Sequence, residues 1–304
     1  MNSKHWNRRE VLAAAGALSV LPAQGWASEH TMINRPIPTG DEQIPVIGLG
    51  TYSVFDVEST ADEIAARKTI VDMFAAEGGS VIDTSPMYRR SEKVVGDIIE
   101  ASDNRDALFL ATKVWIDGRD AGIAQMQQSA NFMQTEVIDL MQVHNLRDTD
   151  VHMRTIRDWQ EQGRIRYSGL THYRADALSA LETAMKKAQP DFIQINYSLG
   201  EREADRRLLP LAADMGVAVI INRPYQSGAL FGAVRGRDLP EWAASFADSW
   251  GQFFLKYIIS HPAVTCVIPA TSKAHHMRDN LAAGFGALPD PATRDRMVTF
   301  MAGM

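Results

Sequence analysis

From residue 47 onward, short apolar runs rich in branched side chains alternate with longer stretches whose apolar positions recur every three to four residues. The short runs, at 47–51, 81–84, 108–113, 138–144, 167–171, 192–197, 217–222 and 264–269, read as strands of a parallel sheet, which is buried on both faces and so shows little polar alternation. The longer stretches, at 61–77, 91–101, 120–135, 151–162, 175–187, 205–215, 246–260 and 273–283, predict helices. Strand-helix alternation implies a parallel sheet joined by crossover helices. Eight such units in 304 residues predict an α/β fold, a (β/α)8 TIM barrel formed as one domain over 28–304, because ~250 residues is usual for that architecture. A doubly wound sheet would need a glycine-rich turn after an early strand, and Gly48-Leu49-Gly50 lacks the third glycine of such a turn.

The first 27 residues stand apart from this pattern. A polar start, the pair Arg8-Arg9, an apolar stretch over 11–21 and small residues ending at Ala27 have the layout of a signal peptide. The run Asn7-Arg8-Arg9-Glu10-Val11-Leu12 is close to a twin-arginine signal, an address read by the export machinery. The expectation is therefore export of the folded chain to the periplasm or another exported compartment, with the twin-arginine machinery as a partner. The apolar stretch falls short of the ~20 residues that span a bilayer, so an integral membrane protein is not expected.

Composition narrows the classes further. With 45% hydrophobic and 22% charged residues the chain is globular, and a formal charge of -6 with pI near 5.8 offers no basic footprint for nucleic acid. Removing 1–27 takes away Lys4, Arg8, Arg9 and Glu10, a net +2, and leaves -8. The single cysteine, Cys266, cannot form an internal disulfide and sits in an apolar run, which suits packing better than reactivity.

In a parallel barrel the chemistry gathers at the C-terminal ends of the strands, so polar residues that close apolar runs are the candidates. Asp83 closes the second run, Tyr88 follows five positions later, Lys113 closes the third and His144 the fourth. A tyrosine with pKa ~10 is a weak acid at neutral pH, and a neighbouring ammonium such as Lys113 favours its phenolate. Asp83 can pair with Lys113 and hold it cationic, while His144 can orient or polarise a substrate oxygen. Such a set donates a proton to a carbonyl oxygen. Taken singly, Asp83 or Lys113 also reads as a structural ion pair and His144 as a capped rim histidine; their sequence on three consecutive strands is the specific signal.

At these residues the chain resembles the aldo-keto reductase superfamily over nearly its whole length after the signal. Gly48-Leu49-Gly50-Thr51-Tyr52 is similar to the family's first-strand motif, and the stretch from Ile82 to Glu92, with Asp83, Tyr88, Ser91 and Glu92, resembles its D-T-x-x-x-Y-G-x-S-E segment. Ala111-Thr112-Lys113 and the stretch from Asp139 to His144 resemble the segments that carry the family's lysine and histidine. The resemblance implies an NADP(H)-dependent oxidoreductase, NAD(H) being the less favoured alternative, in which hydride passes from nicotinamide to a small-molecule carbonyl while Tyr88 protonates the oxygen. The cofactor carries the hydride chemistry and the protein supplies placement and electrostatics.

The resemblance also implies cofactor contacts from Gly50, Thr51, Tyr52 and Asp83, with departures further along. Thr171-His172 stands where the family has a serine and asparagine that hold the carboxamide, and Gln194 matches the third carboxamide ligand. Asn222-Arg223-Pro224 replaces an aromatic, a serine and a proline, so the residue that usually stacks on nicotinamide is not in its place. Ser227, Gly228 and Leu230 suit a short pyrophosphate loop, since glycine lets backbone N–H groups approach phosphate. Thr271, Ser272 and Lys273, with Arg278 and Asn280 on the next helix, match the segment at the adenosine end, and their hydroxyls and charge favour a 2'-phosphate. Ala270 and His276 replace a lysine and arginine of many NADP-dependent members. Arg89 replaces the glycine after the tyrosine and is expected to point into water. The stretch after Pro289 is brief, which implies an open pocket. Two other classes remain: a barrel retained as a binding or scaffold protein, since fold does not fix function, and a metal-dependent hydrolase, which ranks last because no cluster of His and Asp ligands is evident.

Overall fold

The alternating pattern folds as expected in a computed structural model, which describes residues 31–102 and 105–304; the signal read over 1–27 lies outside the described residues. An antiparallel hairpin, β1 (Asn34–Pro36) and β2 (Gln43–Pro45), comes first. Eight parallel strands follow: β3 (Leu49–Gly50), β4 (Val81–Asp83), β5 (Phe109–Val114), β6 (Ile138–His144), β7 (Ile165–His172), β8 (Phe192–Asn196), β9 (Ala218–Asn222) and β10 (Cys266–Val267). They hydrogen-bond in chain order from β3 to β10, and the parallel bridges Ile47 to Val267 and Gly50 to Ala270 join the two ends into a barrel. The last strand is shorter than 264–269; Pro269 has no N–H to donate, though its carbonyl accepts from Gly50 N–H at 3.1 Å.

Helices α1 (Ala61–Ala76), α2 (Ser91–Glu100), α3 (Arg119–Phe132), α4 (Thr149–Glu161), α5 (Leu178–Ala188), α6 (Leu208–Asp214), α7 (Ala229–Ala233), α8 (Trp250–Ile259), α9 (Ala274–Ala282) and α10 (Pro291–Ala302) follow in order, most of them packing outside the barrel. Local chemistry sets several boundaries. Thr60 accepts from Glu63 N–H at the start of α1, and Ser249 accepts from Gln252 N–H, so α8 begins at Trp250 and not at 246. Asp290 caps α10 and Pro291 occupies its first position, where a missing N–H costs nothing. The brief stretch after Pro289 is thus an ordered helix, tied down by Arg294, which donates to Ser260 Oγ at 2.7 Å and to the Tyr197 hydroxyl at 2.8 Å.

Alternation along each strand decides what faces inward. Val81, Phe109, Leu140, Phe192, Ile220 and Cys266 fill the barrel, while their chain neighbours Ile82, Leu110, Met141, Ile193 and Ile221 pack under the helices. The same parity carries on toward the C-terminal ends, so Asp83, Lys113, Gln142, His144, Thr171, Gln194 and Asn222 lie on the inward side too. The lower end is plugged by the hairpin region: Ile37 and Ile44 are fully buried within the interior cluster, each contributing about 1.5–3 kcal/mol by removal from water. Glu42 accepts from the Tyr167 hydroxyl at 2.7 Å and pairs with Arg166, which also binds Asp139 at 2.6 Å.

Candidate active site

At the C-terminal end of the barrel the inward side chains change from apolar to polar and line a cavity of about 510 Å³, within the range of small-molecule sites. Lys113 lies below it with no solvent exposure and donates to Asp83 Oδ2 at 2.7 Å and to Thr84 O at 2.7 Å. The second Asp83 oxygen accepts from Gln194 Nε2 at 2.7 Å and Gln142 Nε2 at 3.1 Å. A buried ion pair persists only when its remaining hydrogen-bonding capacity is met, and the two glutamines do that for the carboxylate. Gly169 makes room for them, since a Cβ there would stand 2.7 Å from Gln142 Cγ.

Tyr88 stands on the turn Pro86–Tyr88, capped by Ser85, whose Oγ accepts from Met87 N–H. The Lys113 ammonium lies 5.0 Å from its ring centroid. Burial raises the Tyr88 pKa; Lys113 opposes that, Asp83 reinforces it, and the net shift is upward. The expectation that Lys113 would lower it is therefore met in sign for the pair alone but outweighed by desolvation. Lys113 itself is pulled down by burial and carried above its ordinary value by Asp83 and Tyr88. His144 Nδ1 shares a 3.1 Å hydrogen bond with Ser85 Oγ, and the ring lines the cavity. Burial, with Lys113 and His172, pushes its pKa down to about 2, so the imidazole is neutral. The four residues chosen from the sequence thus meet at one place, joined by Ser85, Gln142 and Gln194.

Of the other residues singled out, Gly50, Thr51, Tyr52, Thr171, Gln194, Asn222, Arg223, Pro224, Ser227 and Gly228 line the same cavity. Gln194 Oε1 is approached by Thr171 Oγ1 and Asn222 Nδ2, both at 3.4 Å, and these loose contacts leave a polar set able to turn toward a carboxamide. Asn222 Oδ1 and Arg223 Nε are buried without a hydrogen-bond partner, as expected of groups whose acceptor or donor is a ligand. Gly228 has φ +95 and open space around it, so backbone is accessible there. These features fit a nicotinamide dinucleotide. His172 is off the cavity lining: its Nδ1 accepts from Arg174 N–H and its ring stacks on Tyr173. Leu230 packs in the core, Thr271 accepts from Lys273 N–H, and Asn280 accepts from the Tyr225 hydroxyl at 2.6 Å. Ser272, Lys273 and Arg278 are exposed.

Arg89 points outward, 81% exposed and 3.4 Å from Asp56, as its sequence position suggested. Its φ of +56 explains why glycine suits this place. The residues that sequence reasoning passed over are Ser85 and Gln142, inside motifs already quoted, and Met87, Tyr173 and Phe231, apolar or aromatic positions on loops whose approach to the cavity depends on the path of the chain. Among the described residues no cluster of three or more His, Cys, Asp or Glu could hold a metal.

Several known proteins are similar to this chain. The chain is 29% identical over 204 residues to the aldo-keto reductase YhdN of Bacillus subtilis, a match covering 61% of this chain and spanning only 60% of that protein. It is 25% identical over 245 residues to the glyoxal reductase of the same organism, covering 78% of this chain and 82% of that one. An aldo-keto reductase from Klebsiella pneumoniae in complex with NADPH superposes with a TM-score of 0.74 at 24% identity, covering 86% of this chain and 92% of the other. The family model described as aldo/keto reductase matches residues 46–292, and since this takes in every strand from β3 to β10, the chain belongs to the aldo/keto reductase family.

Proposed function

We propose that this protein reduces a small carbonyl compound with NADP(H), Tyr88 giving the proton. The observation that carries the reading is the buried Asp83–Lys113 pair set against Tyr88 beside a cavity of about 510 Å³. Bound nicotinamide supplies the hydride that the protein itself cannot. Tyr88 is held as a protonated phenol by burial, and Lys113 stabilises the phenolate left once the proton has moved to the carbonyl oxygen. In this reading the Ser85 hydroxyl, 3.1 Å away, is assigned as donor to Nδ1, so that His144 carries its proton on Nε2 and donates from there to the same oxygen, a neutral group that orients without competing as an acid. Thr171, Gln194 and Asn222 suit the carboxamide, Ser227 and Gly228 the pyrophosphate, and the exposed Ser272, Lys273 and Arg278 a 2'-phosphate, which favours NADP(H) over NAD(H). The NADPH held by the Klebsiella protein and the glyoxal reductase name of the Bacillus relative support the same class of cofactor and substrate. Export by the twin-arginine route belongs to this proposal, on the strength of residues 1–27.

The test is fluorescence titration of the mature protein with NADPH and NADH, followed by NADPH oxidation across aldehydes and ketones. Tyr88→Phe is expected to keep cofactor binding and to lower turnover by about 10²- to 10⁴-fold, the usual contribution of a positioned proton donor. Undiminished turnover in that variant contradicts the role of Tyr88. Absence of any nicotinamide binding supports the scaffold reading instead.

A further inference from the structure

Arg223 follows the last residue of β9 with its backbone in the left-handed region, φ +50. Its guanidinium lies 5.7 Å from the Tyr173 ring centroid, and its Nε is buried with no hydrogen-bond partner. Three other arginines on loops at this end of the barrel are paired: Arg89 with Asp56, Arg147 with Asp117 and Arg174 with Asp176. Arg223 has no carboxylate partner among the described residues. Among the described residues it is also the one lysine or arginine on the cavity lining, while the one carboxylate there, Asp83, is taken by Lys113. The cavity therefore carries an uncompensated positive charge, always present on a guanidinium, whose planar fork matches two oxygens of a carboxylate or phosphate. Leaving such N–H groups without acceptors is costly unless a ligand supplies them.

We propose that Arg223, steadied by Tyr173, is an anion-binding site in the wall of the cavity, and that it favours carbonyl substrates bearing a carboxylate or phosphate over neutral ones. The substrate preference rests on the reductase reading; the anion site itself does not. The same chemistry could be met by the pyrophosphate of the cofactor, so the experiment separates the two.

Binding of malonate and of inorganic pyrophosphate to the cofactor-free protein is measured by calorimetry in the wild type, Arg223→Gln and Arg223→Lys, with thermal melts to confirm folding. In parallel, kcat/KM is compared for a keto acid and its methyl ester. Expected in Arg223→Gln are loss of malonate binding and a fall of about ten- to a hundredfold in the acid-over-ester ratio, the scale of one lost charge-assisted pair. Arg223→Lys should fall between, keeping the charge without the fork. Weaker pyrophosphate and NADPH binding with an unchanged acid-over-ester ratio would assign the site to the cofactor and overturn the substrate preference. Unchanged anion binding in both variants would overturn the site altogether. Lost anion binding in a protein that reduces nothing would leave the site standing while the reductase reading falls.

Discussion

Two buried carboxyl groups in this barrel meet opposite fates. Asp83 accepts from Lys113, Gln142 and Gln194 and stays paired. Glu92, at the start of α2, is equally buried but has no cation as its hydrogen-bond partner: it accepts from Thr112 Oγ1 at 2.5 Å, and burial pushes its pKa up to about 7. The folded state thus holds this proton more tightly than the unfolded chain does. The contribution is fully present below the ordinary carboxylate range and is lost as pH rises to about 7, amounting to about 3 kcal/mol at pH 8. Glu92→Gln removes that loss, and urea midpoints should show the variant gaining on the wild type at pH 8 relative to pH 4.5; an equal difference at both contradicts it. His144 works the other way. Its depressed pKa means that its contribution is complete above about 6.5 and declines as pH falls toward 2, so residues near the site contribute to both limbs of the stability profile.

Close approach of elements depends on residues whose role is invisible in a pattern of apolar and polar positions. Gly96 on α2 faces the end of α3, where a Cβ would stand 1.9 Å from the Phe132 carbonyl oxygen. Backbone cannot yield as a flexible side chain does, so Gly96→Ala should force α2 away from α3 and cost about 1–3 kcal/mol, read as a lowered melting temperature; an unshifted melt would show that the helices separate freely. The strands were legible because branched runs of four to eight residues have few other uses, and Asp83, Lys113 and His144 were legible because they close such runs. The hairpin β1–β2 was not, since Asn34–Pro36 and Gln43–Pro45 are too short for any periodicity. Gln142 escaped notice because a polar residue inside an apolar strand acquires meaning only once Asp83 and Gly169 are placed beside it. Tyr173 did so because its contact with Arg223 joins loops 50 residues apart. The direction of the Tyr88 shift was out of reach for a related reason: desolvation is a property of the packed cavity, whereas the Lys113 charge can be read from a motif.

At the scale of the whole molecule, the barrel and the leading segment make separate demands. On the proposed function, a chain that acquires a dinucleotide in the cytoplasm would have to fold before export, and the twin-arginine address proposed for 1–27 suits that order. Replacing Arg8 and Arg9 together by lysine is expected to retain the folded, NADPH-binding protein in the cytoplasm, measured by fractionation and cofactor titration of each fraction. Wild-type distribution between fractions would contradict the proposed route. The comparisons reach only the barrel, 46–292, so this prediction stands on the leading residues alone.

The hairpin that fills the lower end of the barrel sets the traffic through the protein. With Ile37 and Ile44 in the interior and Glu42 bound to Arg166 and Tyr167, nothing can enter or leave from below. On the proposed function, cofactor and substrate would therefore share the upper doorway. Were the cofactor to lie along that wall beneath the substrate, it would have to enter first and leave last, an order that product-inhibition kinetics would read out.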